Sequence, residues 1–367
     1  MDMRQLSQRP LKMRYNRVWR PYSGGLLLDR WQGRPDPRDA YVPEEWVSSA
    51  VAAKNVHPIP NEGLSMIDLP DGSSPLLADV IASDPAIFLG AAHAARYGTQ
   101  MAVLIKMIDS SIRLVIQVHP DKPFARTHLN SDYGKTEAWY ILGGRPIDGV
   151  EPHVLMGFKP GVTREIWADL FARQDVDGMI DAMHRIPVKP GDGFLIEGGL
   201  PHAIGAGCFL IEIQEPTDLT MRFEKLVVNG EPMPEAWCTQ GLGVEKMLDC
   251  FHYDTFSQEE ILRKCAIRTV LVRDSADGTE TLLVFPTESP LFGMRKIDVV
   301  RRWETQPEEA YSVVVVVDGC GRLVWDGGEL AITASDELFL PASLGPLTWH
   351  NDSEQPLQLI RCHPPKP

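Results

Sequence analysis

The chain has 367 residues, with 36 Lys+Arg against 50 Asp+Glu and a formal net charge of −14 at pH 7. Apolar residues make up 44% and charged residues 23%, enough for one large core or two ordinary ones, which excludes extensive disorder. A surface this acidic argues against nucleic acid or an anionic membrane as partner, so an anionic ligand must find its positive charge locally.

The N-terminal stretch MDMRQLSQRPLKMRYNRVWR lacks the apolar run of a signal peptide. The longest purely apolar runs, such as Val313 to Val317, fall far short of the ~20 residues a membrane helix needs. A soluble, cytoplasmic protein is expected. The cations from Arg4 to Arg30 read as a solvated arm with a few salt bridges. The six cysteines show no CxxC pair and no regular spacing, so they read as buried or incidental thiols in a reducing compartment.

Residues 76 to 98 carry Leu and Ala at helical spacing and end at a glycine, which predicts helix. Residues 101 to 120 are rich in Val, Ile and Leu and are interrupted by Asp109, Ser110 and Ser111, which predicts two strands and a turn. Residues 163 to 184 predict one or two helices, with Thr163 as N-cap and Ile166, Leu170, Phe171, Met179, Ile180 and Met183 on the apolar faces. From Arg185 onward short strands alternate with Gly and Pro, and TVLVRD, TLLVFP, YSVVVVVDG, RLVWDG and LQLIRCH continue the style to the end. That spacing implies an antiparallel sandwich or barrel, so the chain reads as mainly β with helical insertions in its first two thirds.

One repeat is visible. Val188 to Ile204 aligns without gaps to Ile332 to Thr348, pairing Asp192 with Asp336, Phe194-Leu195-Ile196 with Leu338-Phe339-Leu340, and Leu200 with Leu344. His202 falls opposite Pro346, so only the first copy keeps an imidazole there.

In an extended strand Gln117 and His119 project to one face. Glu137, at the start of the strand-like Ala138 to Leu142, and His202, after a Gly-Gly-Leu-Pro turn, complete a set of two imidazoles, one carboxylate and one amide oxygen. Such a set suits a borderline divalent ion such as Zn2+, whereas a lone histidine beside a proline is more often hydrogen-bonded core or surface.

The run PGD-x4-E-x-G-x-x-H (Pro190 to His202) resembles the second cupin motif, and Gln117-x-His119 followed by Glu137 resembles the first with a long insertion. That insertion, together with IQVHPDKPFA, GKTEAWYIL, LPHAIGAG, EIQEPTDLTMRF and PEEWVSSAV, resembles the type I mannose-6-phosphate isomerases over at least residues 43 to 225. The family often carries Tyr-Arg-x-Tyr-Asp where Met221-Arg222-Phe223-Glu224 stands, and a tryptophan before the paired glycines of RPYSGG.

The resemblance implies two cupin (jelly-roll β-barrel) units with a helical insertion. Residues 1–258 would form the catalytic metal-binding unit, and 259–367 a degenerate unit without metal ligands. It implies one Zn2+ per chain on Gln117, His119, Glu137 and His202, and interconversion of mannose 6-phosphate and fructose 6-phosphate through an enediol. Arg222, in the spacing Glu212-x9-Arg222, is the first choice for phosphate or enediolate, against a surface ion pair with Glu215 or Asp218. Lys135 would polarise a hydroxyl or hold the phosphate, and Lys122 is a second anion-binding candidate or a solvated loop lysine. Glu212, flanked by Ile211 and Ile213, is the candidate base or a structural partner of Arg222. Trp46, Trp139 and Tyr140 wall the sugar site or belong to the core. The expected partner is a small sugar phosphate, not nucleic acid or membrane, and the chain a monomer or homodimer. The alternatives are a zinc isomerase for a different sugar phosphate and a non-catalytic sugar-phosphate-binding cupin.

Overall fold

Short apolar segments cut by Gly and Pro pair into antiparallel sheets in a computed structural model, which describes residues 3–69, 72–228, 231–284 and 289–366. The first half contributes β1 (Leu11–Lys12), β2 (Arg17–Val18), β3 (Glu44–Val47), β4 (Leu104–Asp109), β5 (Gln117–Val118), β6 (Glu137–Gly144), β7 (His153–Phe158), β8 (Met183–Pro187), β9 (Gly193–Ile196), β10 (His202–Ile204), β11 (Cys208–Gln214) and β12 (Met221–Arg222). A small hairpin, β13 (Val227–Val228) and β14 (Glu231–Pro232), follows. Then come β15 (Val270–Ser275), β16 (Gly278–Val284), β17 (Gly293–Val299), β18 (Arg302–Thr305), β19 (Ser312–Asp318), β20 (Cys320–Trp325), β21 (Gly328–Thr333), β22 (Glu337–Leu340), β23 (Leu347–Asn351) and β24 (Leu357–His363).

The six-stranded sheet β2-β3-β4-β11-β6-β9 faces the five-stranded sheet β12-β5-β10-β7-β8. Ile108, Trp139, Ile141, Ile196 and Leu210 of the first pack with Val154, Met156, Ile186 and Ile204 of the second in one core. The seven-stranded sheet β1-β22-β19-β24-β17-β16-β15 and the four-stranded sheet β18-β23-β20-β21 repeat the arrangement, around Val299, Val314, Val316, Leu323, Leu338, Leu347, Trp349 and Leu359. The fold is therefore mainly β, with two barrels of cupin type, each a jelly roll of packed antiparallel sheets.

The faint sequence repeat is a repeat of structure. β9 and β22 start and end at aligned residues. Each follows a turn closed by its aspartate, which accepts from Lys189 N at 2.9 Å through Asp192 and from Thr333 N at 3.0 Å through Asp336. Register extends the match: Glu137 lies opposite Ile196 as Ser312 lies opposite Leu340. Glu212, between Lys106 and Trp139, corresponds to Arg361, between Arg295 and Val314.

Strand alternation gives each large sheet two buried faces. The outward residues Ile105, Met107, Ala138, Tyr140, Ile211 and Ile213 share a core with Met294, Val313, Val315, Phe339, Ile360 and Cys362, so the barrels stand back to back. The five-stranded sheet is covered on its outer face by Trp167, Leu170, Phe171 and Met179 of the helical insertion.

The predicted helix over 76 to 98 is three helices, Leu77–Ser83, Pro85–Leu89 and Ala91–Tyr97. Pro85 cannot continue the first, and Asp84 caps the second by accepting from Ile87 N. The second strand predicted in 101 to 120 shrinks to Gln117–Val118. In the insertion Thr163 caps helix Arg164–Arg173, but Ile166 points to solvent and Trp167 takes its place in the core. Met183 belongs to β8 rather than to the second helix, Val176–Asp181. Of TLLVFP, Thr281 to Val284 lie in β16, while Phe285 and Pro286 lie outside the described residues.

The N-terminal cations divide. Arg4, Lys12, Arg14 and Arg30 are exposed, with Lys12 paired to Asp336 and Arg14 to Asp68, whereas Arg17 pairs with Asp29 at 2.7 Å and Arg20 is buried between Glu44 and Asp218. All six cysteines are free, and all but Cys320 are buried. No helix of the described residues is long and apolar enough to cross a membrane.

Candidate active site

Two rows of side chains face each other inside the first barrel. On the five-stranded sheet, Arg222, Gln117 and His202 are direct cross-strand neighbours. On the six-stranded sheet, Trp46, Lys106, Glu212 and Trp139 form the opposing row. Glu137 shares the face of Trp139, because residues two apart on a strand point the same way. The turn delivering His202 needs glycine at 199, where φ is +86° and an added Cβ would sit 2.5 Å from the His252 ring.

His119, Glu137 and His202 meet in the interior, with candidate ligand atoms all within 4.8 Å of one another. His119 Nε2 lies 3.1 Å from Glu137 Oε2, and His202 Nε2 lies 3.4 Å from Glu137 Oε1. The Gln117 amide stands 3.3 Å from His202 Nε2. Backbone carbonyls set the tautomers: His119 Nδ1 donates to Leu219 O at 3.0 Å and His202 Nδ1 to Leu200 O at 2.9 Å. Both Nε2 lone pairs are thereby left towards Glu137.

Burial, reinforced by Lys135, pushes His119 down to about 3, and burial lowers His202 as well. Burial alone would raise Glu137, but Lys135 and the two imidazoles hold it well below the usual carboxylate range. Neutral imidazoles and an ionised carboxylate are all acceptors, and among the described residues Glu137 Oε1 has no hydrogen-bond partner. Dry acceptors crowded this closely are costly unless a cation satisfies them. The Lys135 ammonium stands against His119 Nε2 at 2.7 Å and against Glu137. Two imidazoles, a carboxylate and an adjacent amide fit a divalent ion of the zinc class.

Beside this cluster opens a cleft lined by Arg20, Tyr22, Glu44, Lys106, Gln117, Lys135, Glu212, Asp218 and Arg222 among others, so that polar and charged groups converge on one space. Glu212 accepts from Lys106 Nζ at 2.9 Å and from Trp139 Nε1 at 3.0 Å. Burial and the nearby Glu137 raise its pKa against the pull of Lys106 and Lys135. Glu44 accepts from Arg20, Tyr22 and Trp46 at 2.9, 2.7 and 2.8 Å. Burial opposes its ionisation, but Arg20 and Lys106 outweigh it and bring the carboxyl to about 2.

Arg222 is buried in the cleft wall. Its Nη1 donates to Thr220 O at 3.1 Å, and burial lowers its pKa to about 10. The alternative reading, a surface ion pair with Glu215 or Asp218, is not formed among the described residues: Asp218 pairs with Arg20 and Glu215 with Lys122. Lys122 opens helix Lys122–His128, pairs with Glu215 at 3.3 Å and faces a separate depression with Arg96 and Tyr133. The structure thus brings together Gln117, His119, Lys135, Glu137, His202, Glu212 and Arg222, but not Lys122. Tyr140 points away into the core between the barrels, while Trp46 and Trp139 back the cleft through their bonds to Glu44 and Glu212.

Sequence reasoning missed Lys106, Arg20, Tyr22, Glu44 and Asp218. Lys106 had a local signal, as a lysine inside the otherwise apolar strand LIKMI. The others join the cleft only through tertiary contacts.

No protein-family model matches the chain. The mannose-6-phosphate isomerase of Streptococcus mutans is 28% identical over 298 residues, spanning 80% of this chain and 85% of that protein. The "Probable mannose-6-phosphate isomerase GmuF" of Bacillus subtilis is 27% identical over 254 residues, 68% of this chain and 72% of the relative. Among solved structures, the mannose 6-phosphate isomerase of Bacillus subtilis superposes with a TM-score of 0.74 at 21% identity, covering 97% of this chain and all of the other.

Proposed function

We propose that the chain is a member of the mannose-6-phosphate isomerase family, to whose proteins it is similar, and that it interconverts mannose 6-phosphate and fructose 6-phosphate through an enediol. We assign Gln117, His119, Glu137 and His202 as the ligands of one divalent ion, zinc by the chemistry of the donors. When bound, that ion would supply Lewis-acid stabilisation of charge developing on the sugar oxygens.

In this proposal Glu212 takes the proton from C2 of the aldose and returns it to C1, and a hydroxyl proton passes from O2 to O1 to complete the balance. The Lys106 ammonium and Trp139 N–H at 2.9 and 3.0 Å support a carboxylate held in one orientation. Lys135 hydrogen-bonds a sugar oxygen during the shift, and Arg222 binds phosphate or enediolate oxygen through guanidinium N–H groups. Lys122, paired with Glu215 outside the cleft, takes no part.

We place the catalytic unit in residues 1–258 and a supporting unit in 259–367. Its support is that the second barrel carries Ser312 at the register position of Glu137 and Arg361 at that of Glu212, with Arg361 Nε donating to Ser312 Oγ at 2.9 Å.

The observation that carries the proposal is the convergence of the His119–Glu137–His202 cluster with Lys106, Lys135, Glu212 and Arg222 at one cleft. A coupled assay on mannose 6-phosphate is expected to show turnover that EDTA abolishes and zinc restores. Rapid turnover of only a different sugar phosphate would replace the substrate. Absence both of turnover and of solvent deuterium at C1 and C2, with binding intact, would leave a non-catalytic sugar-phosphate-binding protein.

A further inference from the structure

Each of the other cations lining the cleft has an acid for partner. Arg20 lies 2.9 Å from Glu44 and 3.2 Å from Asp218, Lys106 lies 2.9 Å from Glu212, and Lys135 bonds to Glu137. Among the described residues no carboxylate stands within ion-pair distance of Arg222. Its guanidinium lies instead over the indole of Trp237, with Cζ 3.5 Å from the ring centroid. Among the described residues only Thr220 O accepts one of its N–H groups.

The two kinds of partner differ in what they leave behind. A carboxylate would neutralise the guanidinium and occupy its donors, and an incoming phosphate would have to displace or repel it. An aromatic face stabilises the cation through its quadrupole, accepts no N–H and brings no charge. Trp237 is held for this position by helix Glu235–Cys238 and by a small apolar cluster with Leu226, Val228, Met233, Cys238 and Trp19. Leu226 of the same cluster also lines the cleft.

From this geometry we infer that Trp237 is the positioning residue of an oxyanion-binding arginine, holding Arg222 in the cleft with its charge unpaired and its remaining N–H donors open. The inference rests on the isomerase reading for the identity of the oxyanion, the substrate phosphate, but not for the binding of phosphate itself.

The test compares Trp237→Phe, which keeps an aromatic face, with Trp237→Leu, which keeps only bulk. Inorganic phosphate is titrated into the metal-replete protein by calorimetry, and steady-state kinetics are run on mannose 6-phosphate. Trp237→Leu should weaken phosphate binding and raise KM by about tenfold with kcat within about threefold, whereas Trp237→Phe should stay within about twofold of the parent. In an Arg222→Met background, Trp237→Leu should add no further loss. Equal losses in the Phe and Leu variants, or a Leu effect that persists without Arg222, would overturn the inference. If Trp237→Leu does not fold, Trp237→Met gives the same comparison. A parent that binds phosphate but does not turn over mannose 6-phosphate would sink the isomerase reading and leave the role of Trp237 to be judged on binding.

Discussion

At the scale of single residues, the acceptor character of the buried cluster decides what the site can hold. With Nδ1 of His119 and His202 each given to a backbone carbonyl, their Nε2 atoms act as acceptors, facing the Lys135 ammonium and the Gln117 amide. His202→Ala is therefore expected to lose about one equivalent of bound metal by elemental analysis, together with essentially all isomerase activity. Glu212→Gln separates chemistry from assembly: it should retain the metal and lose on the order of 10²-fold or more in kcat. Unchanged metal content in His202→Ala would remove that residue from the ligand set, and near-parent kcat in Glu212→Gln would remove Glu212 as the base.

At the scale of elements, register places the chemistry. One row across β12, β5 and β10 and a second across β3, β4, β11 and β6 bring residues far apart in sequence within contact. The N-terminal arm is fastened to them by Arg20, which joins Glu44 of β3 to Asp218. Glu44, with its carboxyl at about 2, stabilises the fold above the ordinary carboxylate range, and that contribution is lost as pH falls towards 2. Unfolding free energy from denaturant titration should thus decline from about pH 5 to pH 2. Glu44→Gln should be less stable at pH 7, by about 3 kcal/mol, and show a shallower decline. Parallel pH profiles for variant and parent would show that Glu44 carries none of the acid sensitivity.

At the scale of the whole molecule, the second barrel supports the first through a shared apolar core. Phe339 stacks on Tyr311, whose hydroxyl donates to Met101 O, and both pack with Ile105, Ile211 and Ile213 from the back of the six-stranded sheet. Phe339→Ala is expected to cost about 3–5 kcal/mol. It should lower the temperature of a single calorimetric transition and of thermal inactivation together. A new low-temperature transition with inactivation unmoved would mean that the barrels unfold separately.

The sequence by itself determined the mainly β architecture, the helical insertion, the repeat at Asp192 and Asp336, and the residues that meet in the acceptor cluster. These were legible because alternation, turn chemistry and ligand type are local properties, and because motif spacing carried a family resemblance. Tertiary structure decided the rest. Arg20 and Glu44 look like ordinary surface charges until the fold buries them against Asp218 and Lys106. Lys122 and Lys135 are both polar-loop lysines in sequence, yet one pairs with Glu215 outside the cleft and the other reaches Glu137 inside it. The net charge of −14 gave no hint that Arg222 would be buried over an indole with no carboxylate of the described residues within ion-pair distance. Pairing between distant charges depends on strand register and barrel closure, which no local pattern encodes.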